Sequence, residues 1–424
     1  MHICLVALNA YPAIDPLVAG PIGGIETRSW MIARGLAARS GIDVQFVLRH
    51  HTQPRQLEYD GVRLVPLVDP LYGVWQSAAQ AVERRTGFPW VRIKRWSPRL
   101  LWQLPRLAVD RLRRGRVYAA DAPDSRLVAV GADVYATFGV QTHSSVVIRS
   151  AHEAGRPAIL FLGSDGDLDS MFKPGGTGVD PYGTRAEVGR DILQSADVIV
   201  AQTESQQHRL RDLFGRESVL IRNPIDVAAW DREMQSPIDE FAVSGLERYV
   251  LWVGRAEELH KRPQLCLELA RRCPEVQFLM ILNPRDPAVE TKIRATAPGN
   301  VRIVERIPFP QMPAIYTRAA LLLNTSQLEG FPNVFLQASL SRIPIVSLEV
   351  GNEYLSEARA GRCSDGDLTA AAEFIRNDWS GGANDRFDAD RARTYVTQRH
   401  AIDTQIDRLV SLFQEIATSK SGRR

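Results

Sequence analysis

Residues 320–338 read ALLLNTSQLEGFPNVFLQA, an apolar run followed by a polar loop and then by an amphipathic helical pattern. Residues 249–272 repeat this order, with a strand pattern, a loop through Gly254 and Arg255, and a helical pattern. A strand that runs into a helix is the repeating unit of a parallel sheet covered on both faces. The two stretches therefore predict an open α/β sheet that binds its ligand beyond the carboxyl ends of its strands.

Both halves of the chain follow this alternation. Strands are predicted in the first half at 2–10, 44–48, 133–137, 158–162 and 198–201, with a helix over 26–39, and in the second half at 249–253, 276–282, 301–304, 320–324 and 345–348. The fold predicted is α/β, with two doubly wound Rossmann-like domains facing each other across a cleft. We expect an N-terminal domain over 1–225, a linker over 226–244, a C-terminal domain over 245–395, and a final helix over 396–424 that returns to the N-terminal domain and ends in a flexible tail.

The composition is that of a globular chain. Of 424 residues, 45% are hydrophobic and 24% are charged, which is enough apolar material for two buried cores. The formal net charge of +3 does not favour nucleic acid as a partner. The four cysteines include no C-x-x-C pair, which is typical of a reducing compartment. Without a signal-peptide pattern or a membrane-spanning apolar run, we expect a cytoplasmic location.

Residues 84–116 depart from the α/β pattern. They carry eleven Lys or Arg residues against one acid, Asp110, and are interleaved with Phe88, Trp90, Trp96 and Trp102. Basic stretches with Trp bind anionic membrane surfaces, which would place the protein peripherally at the inner face of the cell membrane. The alternative is a solvated insertion that packs its aromatic residues on its own domain. Nucleic acid is not favoured, because no RRM, KH, OB or zinc-finger pattern accompanies the charge.

Two cations follow the first strand of the second half. Arg255 comes directly after Gly254, and Lys261 lies near the start of the next helical pattern. Two cations between a strand end and a helix start complement a diphosphate. The alternative is a pair of surface residues at the start of a helix. A P-loop is excluded, because its G-x-x-x-x-G-K-[ST] pattern is missing.

Polar groups also follow the strand at 320–324. Glu329 lies in the loop and Gln337 on the helix behind it, and such acceptors suit the hydroxyls of a sugar and of a ribose. The backbone amides over 330–334 predict a second cradle for an anion. A loop that only caps a helix would explain the apolar residues here, but not Glu329 and Asn333 beside Gly and Pro.

Two adjacent glycines, Gly23 and Gly24, separate the first strand from the first helix. Without side chains, they let backbone amides approach a phosphate at the positive end of the helix. An ordinary loop turn is the alternative, because the dinucleotide pattern G-x-G-x-x-G is absent.

Three segments in this order resemble the family 4 glycosyltransferases of the GT-B fold: GGIETRSWMIARGLAARS (23–40), WVGRAEELHKRP (252–263) and EGFPNVFLQASLSRIPIVS (329–347). The similarity covers most of the chain, including ILQSADVIVAQTESQQ (192–207) and LIRNPID (220–226), and leaves only the basic insertion clearly outside. The resemblance implies a retaining enzyme that transfers a hexose-type sugar from a nucleotide-diphosphate sugar to a glycan or lipid-linked acceptor, as in polysaccharide biosynthesis.

The resemblance also implies roles for individual residues. The family's Arg and Lys that hold the donor diphosphate match Arg255 and Lys261, and its Glu that contacts hydroxyls of the transferred sugar matches Glu329; these three are the candidate catalytic residues. Contacts to the base are expected from the backbone near 306–308. The expected donor-binding residues are Gly24, Arg255, Lys261, Glu329, Phe331, Asn333, Val334 and Gln337.

The chain departs from the family pattern at two places. Gln337 stands where the family has a second Glu that binds the donor ribose, so a charge-assisted hydrogen bond is lost. A His that the family often has after the strand at 158–162 is missing, which leaves Ser164 or Asp165 to face the transferred sugar. His143, from another strand end, is a candidate substitute, and Gly23 is a further candidate on the acceptor or sugar side.

No cofactor and no metal ion are expected. Asp165-Gly166-Asp167 fits the D-x-D pattern of metal-dependent enzymes, but we expect it in the first domain and away from the cations. The mechanism that the resemblance favours is front-face displacement, with the donor phosphate assisting deprotonation of the acceptor. Three alternatives remain: a nucleotide-sugar epimerase, a phosphorylase of the same fold, and a catalytically silent protein that binds a sugar nucleotide or a carbohydrate.

Overall fold

A computed structural model of the chain describes all residues except 19, 21, 85–88, 90, 94–95, 115–119, 121, 237–242, 244, 383 and 422–424. Contact density divides the chain into two units. The first contains Met1–Phe161, Ser170–Ile199 and Leu412–Arg424, and the second contains Leu162–Asp169 and Val200–Ser411. Contact density does not locate a hinge, so the predicted domain boundaries, with a linker at 226–244, stay a prediction.

The first unit is built on a mainly parallel sheet with strand order β9-β8-β7-β1-β2-β4-β3. β3 pairs with β4 in the antiparallel direction. The strands are β1 (His2–Val6), β2 (Asp43–His50), β3 (Glu58–Tyr59), β4 (Val62–Val68), β7 (Val134–Phe138), β8 (Ala158–Phe161) and β9 (Val198–Ala201), and a separate hairpin joins β5 (Val82–Arg84) to β6 (Val91–Ile93). The helices are α1 (Tyr11–Ile14), α2 (Gly24–Ala37), α3 (Tyr72–Ala81), α4 (Leu100–Arg114), α5 (Ser125–Val128), α6 (Thr142–Glu153) and α7 (Ala186–Ser195).

The second unit has a six-stranded parallel sheet with strand order β13-β12-β11-β14-β15-β16. Its strands are β11 (Tyr249–Arg255), β12 (Phe278–Asn283), β13 (Val301–Val304), β14 (Ala319–Asn324), β15 (Ile345–Ser347) and β16 (Gly361–Cys363), and β10 (Val219–Leu220) pairs with the end of β9. The helices are α8 (Glu204–Phe214), α9 (Val227–Glu233), α10 (Pro263–Arg272), α11 (Pro287–Thr296), α12 (Met312–Arg318), α13 (Asn333–Leu340), α14 (Asn352–Glu357), α15 (Leu368–Trp379), α16 (Ala389–Arg399) and α17 (Ile402–Ser421).

Strand β11 shows why this sheet is buried on both faces. Successive side chains of a strand point to opposite faces, so Tyr249 and Leu251 enter one hydrophobic core while Val250 and Trp252 enter another. All four side chains are at most 1% exposed. Burial on both faces explains why the strand is a continuous apolar run in the sequence rather than an alternating one.

The predicted fold class is confirmed: each unit is a Rossmann-like α/β arrangement around a parallel sheet. Each predicted strand overlaps a strand in the structure. Six strands were not predicted from the sequence: β3, β4, β5, β6, β10 and β16. The run of β4, VRLVPLV, contains Pro66, a residue that argues against a strand. The other five strands are only two or three residues long.

Among the helices that the structure describes, none combines the length and the apolar content needed to cross a membrane.

Gly361 allows a first prediction, on stability. At φ 146° it pairs with Ile345, and a Cβ atom placed there would lie 1.9 Å from the carbonyl oxygen of Ile345. Gly361→Ala should force β16 away from β15 and cost roughly 2 kcal/mol or more, because both backbone strain and lost ladder hydrogen bonds contribute. Thermal unfolding measures the effect. Gly299→Ala is the control, because a Cβ atom at Gly299 meets no atom within 4 Å; equal unfolding temperatures for the two variants would contradict the prediction.

Candidate functional site

The candidate site lies where the strand order of the second unit reverses. β11 is the first strand of its sheet in the chain and lies between β12 and β14. The next two strands, β12 and β13, are added on one side of β11, and β14, β15 and β16 are added on the other side. Loops that leave the carboxyl ends of two such strands diverge and leave a crevice between them. The loop after β11 carries Arg255 and Lys261, and the loop after β14 carries Glu329.

A chain of hydrogen bonds joins these two loops to the sheet. The buried indole of Trp252 donates from Nε1 to Thr325 Oγ1 over 2.9 Å, and Thr325 Oγ1 lies 2.6 Å from the carbonyl oxygen of Lys261. The guanidinium of Arg262 donates to the carbonyl oxygen of Thr325 over 2.9 Å, and the backbone N–H of Gln327 donates to the carbonyl oxygen of His260. The backbone position of Lys261 is therefore fixed by the neighbouring strand.

Lys261 and Glu329 form an ion pair across the two loops. Each side chain is 19% exposed, and Ser326 Oγ donates to Glu329 Oε1 over 2.8 Å. Burial by itself raises the pKa of Glu329, but the charge and hydrogen bond of Lys261, the hydrogen bond of Ser326 and the charge of Arg255 together hold that pKa below its ordinary value. Glu329 is therefore an ionised acceptor, with an ammonium group beside it.

Arg255 ends β11 and makes an ion pair with Glu257 over 2.9 Å. Its side chain is 27% exposed, which leaves it accessible from solvent. The structure thus brings Arg255, Lys261 and Glu329 together beyond the carboxyl ends of β11 and β14, and their roles toward a diphosphate and a sugar stay a prediction.

The start of α13 carries the backbone amides for which the sequence predicts a cradle for an anion. Pro332 precedes the helix, and Asn333 and Val334 are its first residues, whose N–H groups have no acceptor within the helix. The Asn333 side chain is held by Asn223, which donates from Nδ2 to Asn333 Oδ1 over 2.8 Å. The side chain of Phe331 is buried in the core of the second unit, which leaves its backbone as the part that the predicted cradle involves.

Gln337 lies on the same helix, and its Oε1 accepts a hydrogen bond from the buried hydroxyl of Tyr316 over 2.9 Å. An amide oxygen that already accepts this bond has less capacity left for a ribose hydroxyl than a carboxylate would have. Since the oxygen already has a partner, the side chain of Gln337 offers a ligand mainly its NH₂ group, which is a donor.

The structure corrects one expectation about Asp165. The D-x-D segment was expected far from the cations, but Leu162–Asp169 groups with the second unit, and the backbone N–H of Asp165 donates to the carbonyl oxygen of Glu329 over 3.3 Å. The Asp165 carboxylate accepts from Gln206 over 3.0 Å and lies 3.9 Å from Arg209. Burial, the largest influence, raises the pKa of Asp165 despite these two partners.

Ser164 and Asp167 stabilise the same turn. Ser164 caps the short 3-10 helix Asp165–Leu168, and the Asp167 carboxylate accepts from the backbone N–H groups of Gly163 and Ser164. Both carboxylates of the D-x-D pattern are thus used by protein donors. Among the residues that the structure describes, no group of three or more His, Cys, Asp or Glu side chains could hold a metal ion.

The remaining candidates lie in the first unit, again at a point where strand order reverses. His143, in the first turn of α6, lines a cavity of about 30 Å³ together with Asn9, Ile25, Glu26 and Gln141, among others. Burial, followed by the charge of Arg49, lowers the pKa of His143 to about 4, so the imidazole is neutral at neutral pH.

Gly23 and Gly24 stand at the start of α2, beside this cavity. The Glu26 carboxylate accepts from the backbone N–H of Gly23 over 2.9 Å, so that amide already has a hydrogen-bond partner within α2. Gly24 is exposed, and a Cβ atom there would meet nothing within 4 Å. The turn therefore does not need Gly at position 24 for space.

Sequence reasoning missed the residues that hold the site in place. Asn223 lies in the segment LIRNPID, and its side chain holds that of Asn333 at the start of α13. His400, fully buried, accompanies it: its Nδ1 lies 2.9 Å from the carbonyl oxygen of Asn223, and its ring lies 5.1 Å from that of Phe331. Burial lowers the pKa of His400 to about 4. Nothing in the local sequence shows that residues 177 positions apart meet.

A known protein family matches the part of the chain that contains the crevice residues. Residues 247–377, which include Arg255, Lys261, Glu329 and Gln337, match the family model described as glycosyl transferases group 1. No curated protein matches the chain by sequence.

Solved structures resemble the chain over almost its whole length. Sucrose-phosphate synthase from Thermosynechococcus elongatus has a TM-score of 0.69 at 17% identity and covers 99% of each chain. HepE from Anabaena, in complex with UDP and glucose, has a TM-score of 0.61 at 14% identity and covers 98% of this chain and 100% of its own. An alpha,alpha-trehalose-phosphate synthase (UDP-forming) from Burkholderia vietnamiensis has a TM-score of 0.60 at 13% identity and covers 98% of both chains.

At these identities the structural neighbours establish the fold, which is GT-B. The family match covers the part of the chain that contains the crevice residues. Residues 247–377 therefore match a group 1 glycosyltransferase domain, and the chain as a whole has the GT-B fold.

Proposed function

We propose that the protein is a retaining, family 4 type glycosyltransferase that moves a hexose-type sugar from a nucleotide-diphosphate sugar to a glycan or lipid-linked acceptor in the cytoplasm. One observation carries the proposal: an ionised Glu329, paired with Lys261 and bonded to Ser326, lies at the reversal point of the sheet. A carboxylate there accepts from sugar hydroxyls, and the cations beside it suit a diphosphate.

The diphosphate is held by Lys261, Arg255 and the amides of Asn333 and Val334. Lys261 makes an ion pair with Glu329 and Arg255 makes one with Glu257, so these cations are held near the crevice by carboxylates rather than extended into solvent. A diphosphate competes with Glu257 and Glu329 for the cations. Glu329 is then available to the hydroxyls of the sugar.

In the reaction, the bond between the anomeric carbon and the donor phosphate oxygen breaks, and a bond from the acceptor oxygen forms on the same face. The acceptor hydroxyl gives its proton to the leaving phosphate oxygen. Negative charge grows on that phosphate in the transition state, where Lys261, Arg255 and the loop amides stabilise it without a metal ion.

The donor ribose is placed against Gln337, which donates through its amide nitrogen. The base is placed near 306–308, in the segment that follows β13. His143, whose imidazole is neutral at neutral pH, lies in the first unit with Gly23, Glu26 and Gln141, and we assign this group to the acceptor side.

A donor panel tests the proposed function. The purified protein is incubated with UDP-, GDP-, ADP- and TDP-sugars, release of the nucleoside diphosphate is measured, and NMR gives the anomeric configuration of the product. We expect turnover with one nucleotide and retention at the anomeric carbon. Tight calorimetric binding without turnover would instead identify a silent sugar-nucleotide-binding protein, and inverted product would overturn the retaining mechanism.

Replacing either partner of the central ion pair should reduce transfer. We expect Lys261→Ala and Glu329→Ala each to lower kcat/KM at least tenfold, which is about 1.4 kcal/mol of transition-state stabilisation. Lys292→Ala is the matched control, because Lys292 also pairs with a glutamate, Glu258, but is 61% exposed and lies on α11. Wild-type kinetics for both crevice variants would remove this donor site.

The pH profile gives these variants a second readout. Burial raises the pKa of Glu329, and the charge and hydrogen bond of Lys261 are the largest of the contributions that lower it. Without Lys261 the carboxylate should therefore protonate at higher pH, and the acid limb of kcat/KM should move upward in pH in Lys261→Ala but not in Lys292→Ala. An unmoved limb would show that ionised Glu329 does not limit the reaction.

A carboxylate restored at position 337 should strengthen donor binding. In Gln337→Glu, one oxygen can accept from Tyr316 and the other from a ribose hydroxyl, so we expect the donor KM to fall severalfold with kcat unchanged. Gln337→Leu removes both groups and should raise the KM. If neither variant changes the KM, the ribose is bound elsewhere.

Activity should not depend on a divalent metal ion. Two cations and the helix amides already face the diphosphate, and the Asp165 and Asp167 carboxylates are bonded to protein donors. Transfer rates measured in excess EDTA should equal those in untreated enzyme. Loss of activity with chelation, followed by recovery with Mg²⁺ or Mn²⁺, would overturn the metal-independent mechanism.

A further inference from the structure

Exposed apolar side chains are concentrated in one part of the first unit. Among the residues that the structure describes, fifteen large apolar side chains are exposed, and eight of them lie between residues 75 and 112. Scattered single apolar residues on a surface need no explanation, but a concentration of this kind marks an interaction site. These eight are Trp75, Val91, Ile93, Trp96, Leu101, Trp102, Val109 and Leu112.

Helix α4 shows that the exposure is built into the fold. One face of the helix is buried through Leu100, Gln103 and Leu107, and Gln103 donates to Ser77 of α3 over 3.1 Å. The helix is therefore already packed against its own unit. Its exposed apolar residues cannot join that packing, since they lie on another side of the helix.

Those other residues form a second apolar stripe, which we call the outer face of α4. Leu101, Pro105, Ala108 and Leu112 follow one another at spacings of four, three and four residues, which is one side of an α-helix. Trp102 and Val109 flank this line. Leu101 is 68% exposed, Trp102 50%, Val109 46% and Leu112 84%.

Cations surround the outer face. Arg99 and Arg106 on or next to α4 and Arg92 on the neighbouring β6 are exposed. Over residues 84–116 the chain carries eleven Lys or Arg residues and one acid. Within residues 84–116, the positions 85–88, 90, 94–95 and 115–116, which include Phe88 and Trp90, lie outside the described part of the chain, and the outer face does not depend on them.

This charge selects among the surfaces that could cover the outer face. A second copy of the chain would bring two strongly basic segments together, and like charges in contact oppose association. An anionic lipid surface instead attracts the arginines, at roughly 1 kcal/mol for each one near the surface, and accepts Trp and Leu at the headgroup level.

We propose that the outer face of α4, with Trp96 and the flanking arginines, binds an anionic membrane surface. The helix lies in the interface, with Leu101, Trp102 and Leu112 among the lipids and Arg99 and Arg106 at the headgroups. None of the described helices can cross a membrane, so binding of this kind is peripheral. The segment lies outside the motifs on which the proposed function rests, and it can be tested without any donor.

Sedimentation with vesicles tests the proposal. The full chain is mixed with vesicles of phosphatidylcholine alone or with an equal part of phosphatidylglycerol. We expect at least tenfold tighter binding to the anionic vesicles. That binding should weaken as added salt shortens the Debye length from about 10 Å at 0.1 M to about 3 Å at 1 M.

Two sets of variants separate the apolar and the charged contributions. Leu101→Ser/Trp102→Ser/Leu112→Ser should lower binding at least tenfold, and Arg99→Ser/Arg106→Ser should weaken it and flatten its salt dependence. The matched controls are Leu57→Ser/Val179→Ser, which remove exposed apolar side chains elsewhere in the first unit, and Arg63→Ser/Arg386→Ser, which remove exposed charges. Both controls should bind as the wild type does.

Three results would overturn the proposal. The wild type could stay in the supernatant with anionic vesicles at low salt, which would leave an acidic protein as the partner of this surface. The α4 variants could bind vesicles as the wild type does. Finally, size-exclusion chromatography could show a wild-type dimer that Leu112→Ser dissociates, which would mean that a second copy covers the outer face. Donor hydrolysis by the variants, measured in parallel, reports on the proposed function separately.

Discussion

The hydrogen bond from Trp252 to Thr325 is the contact on which the candidate site depends. Trp252 is anchored in the core of the second unit, and its indole N–H has one partner, a hydroxyl at the start of the loop after β14. Thr325 in turn bonds to the backbone of Lys261. The core thus sets the separation of two loops that are 64 residues apart in the chain. A buried indole N–H without a partner would be costly, so core stability and loop position are linked.

The two charged groups of the Lys261–Glu329 pair also depend on each other. Glu329 is ionised because Lys261 and Ser326 outweigh the effect of burial on its pKa. Lys261 is held where a diphosphate can reach it because Glu329 is its partner. Each group of the pair therefore holds the other in the crevice before any ligand binds.

The two apolar stripes of α4 separate folding from recognition within one helix. The face with Leu100 and Leu107 contributes burial to the first unit, whereas the outer face with Leu101 and Leu112 contributes none. A surface helix that only packs against its own domain would have a polar side toward solvent. In the proposed arrangement, the chain leaves apolar area exposed in the first unit while the chemistry of donor binding is assigned to the second.

The sequence by itself determined the fold class and identified the candidate site residues. Apolar runs followed by helical patterns specify parallel strands, and Arg255, Lys261 and Glu329 stand at strand ends, where ligands of such sheets bind whatever the details of packing. These are local properties, since the strand, the loop and the helix are neighbours in the chain. Six strands escaped prediction, among them β4 with its Pro66 and the short β16. These two are held by pairing with β2 and β15 rather than by their own composition.

Tertiary structure alone decided which distant groups meet. Only the folded chain places Asp165 beside Glu329, Asn223 against Asn333, Tyr316 against Gln337 and His400 behind Phe331. It also decided which stripe of α4 is buried, because both stripes are apolar and the sequence does not distinguish them. The physical reason is the same in each case: contacts between residues far apart in the chain depend on the packing of whole elements, which no local pattern of side chains encodes.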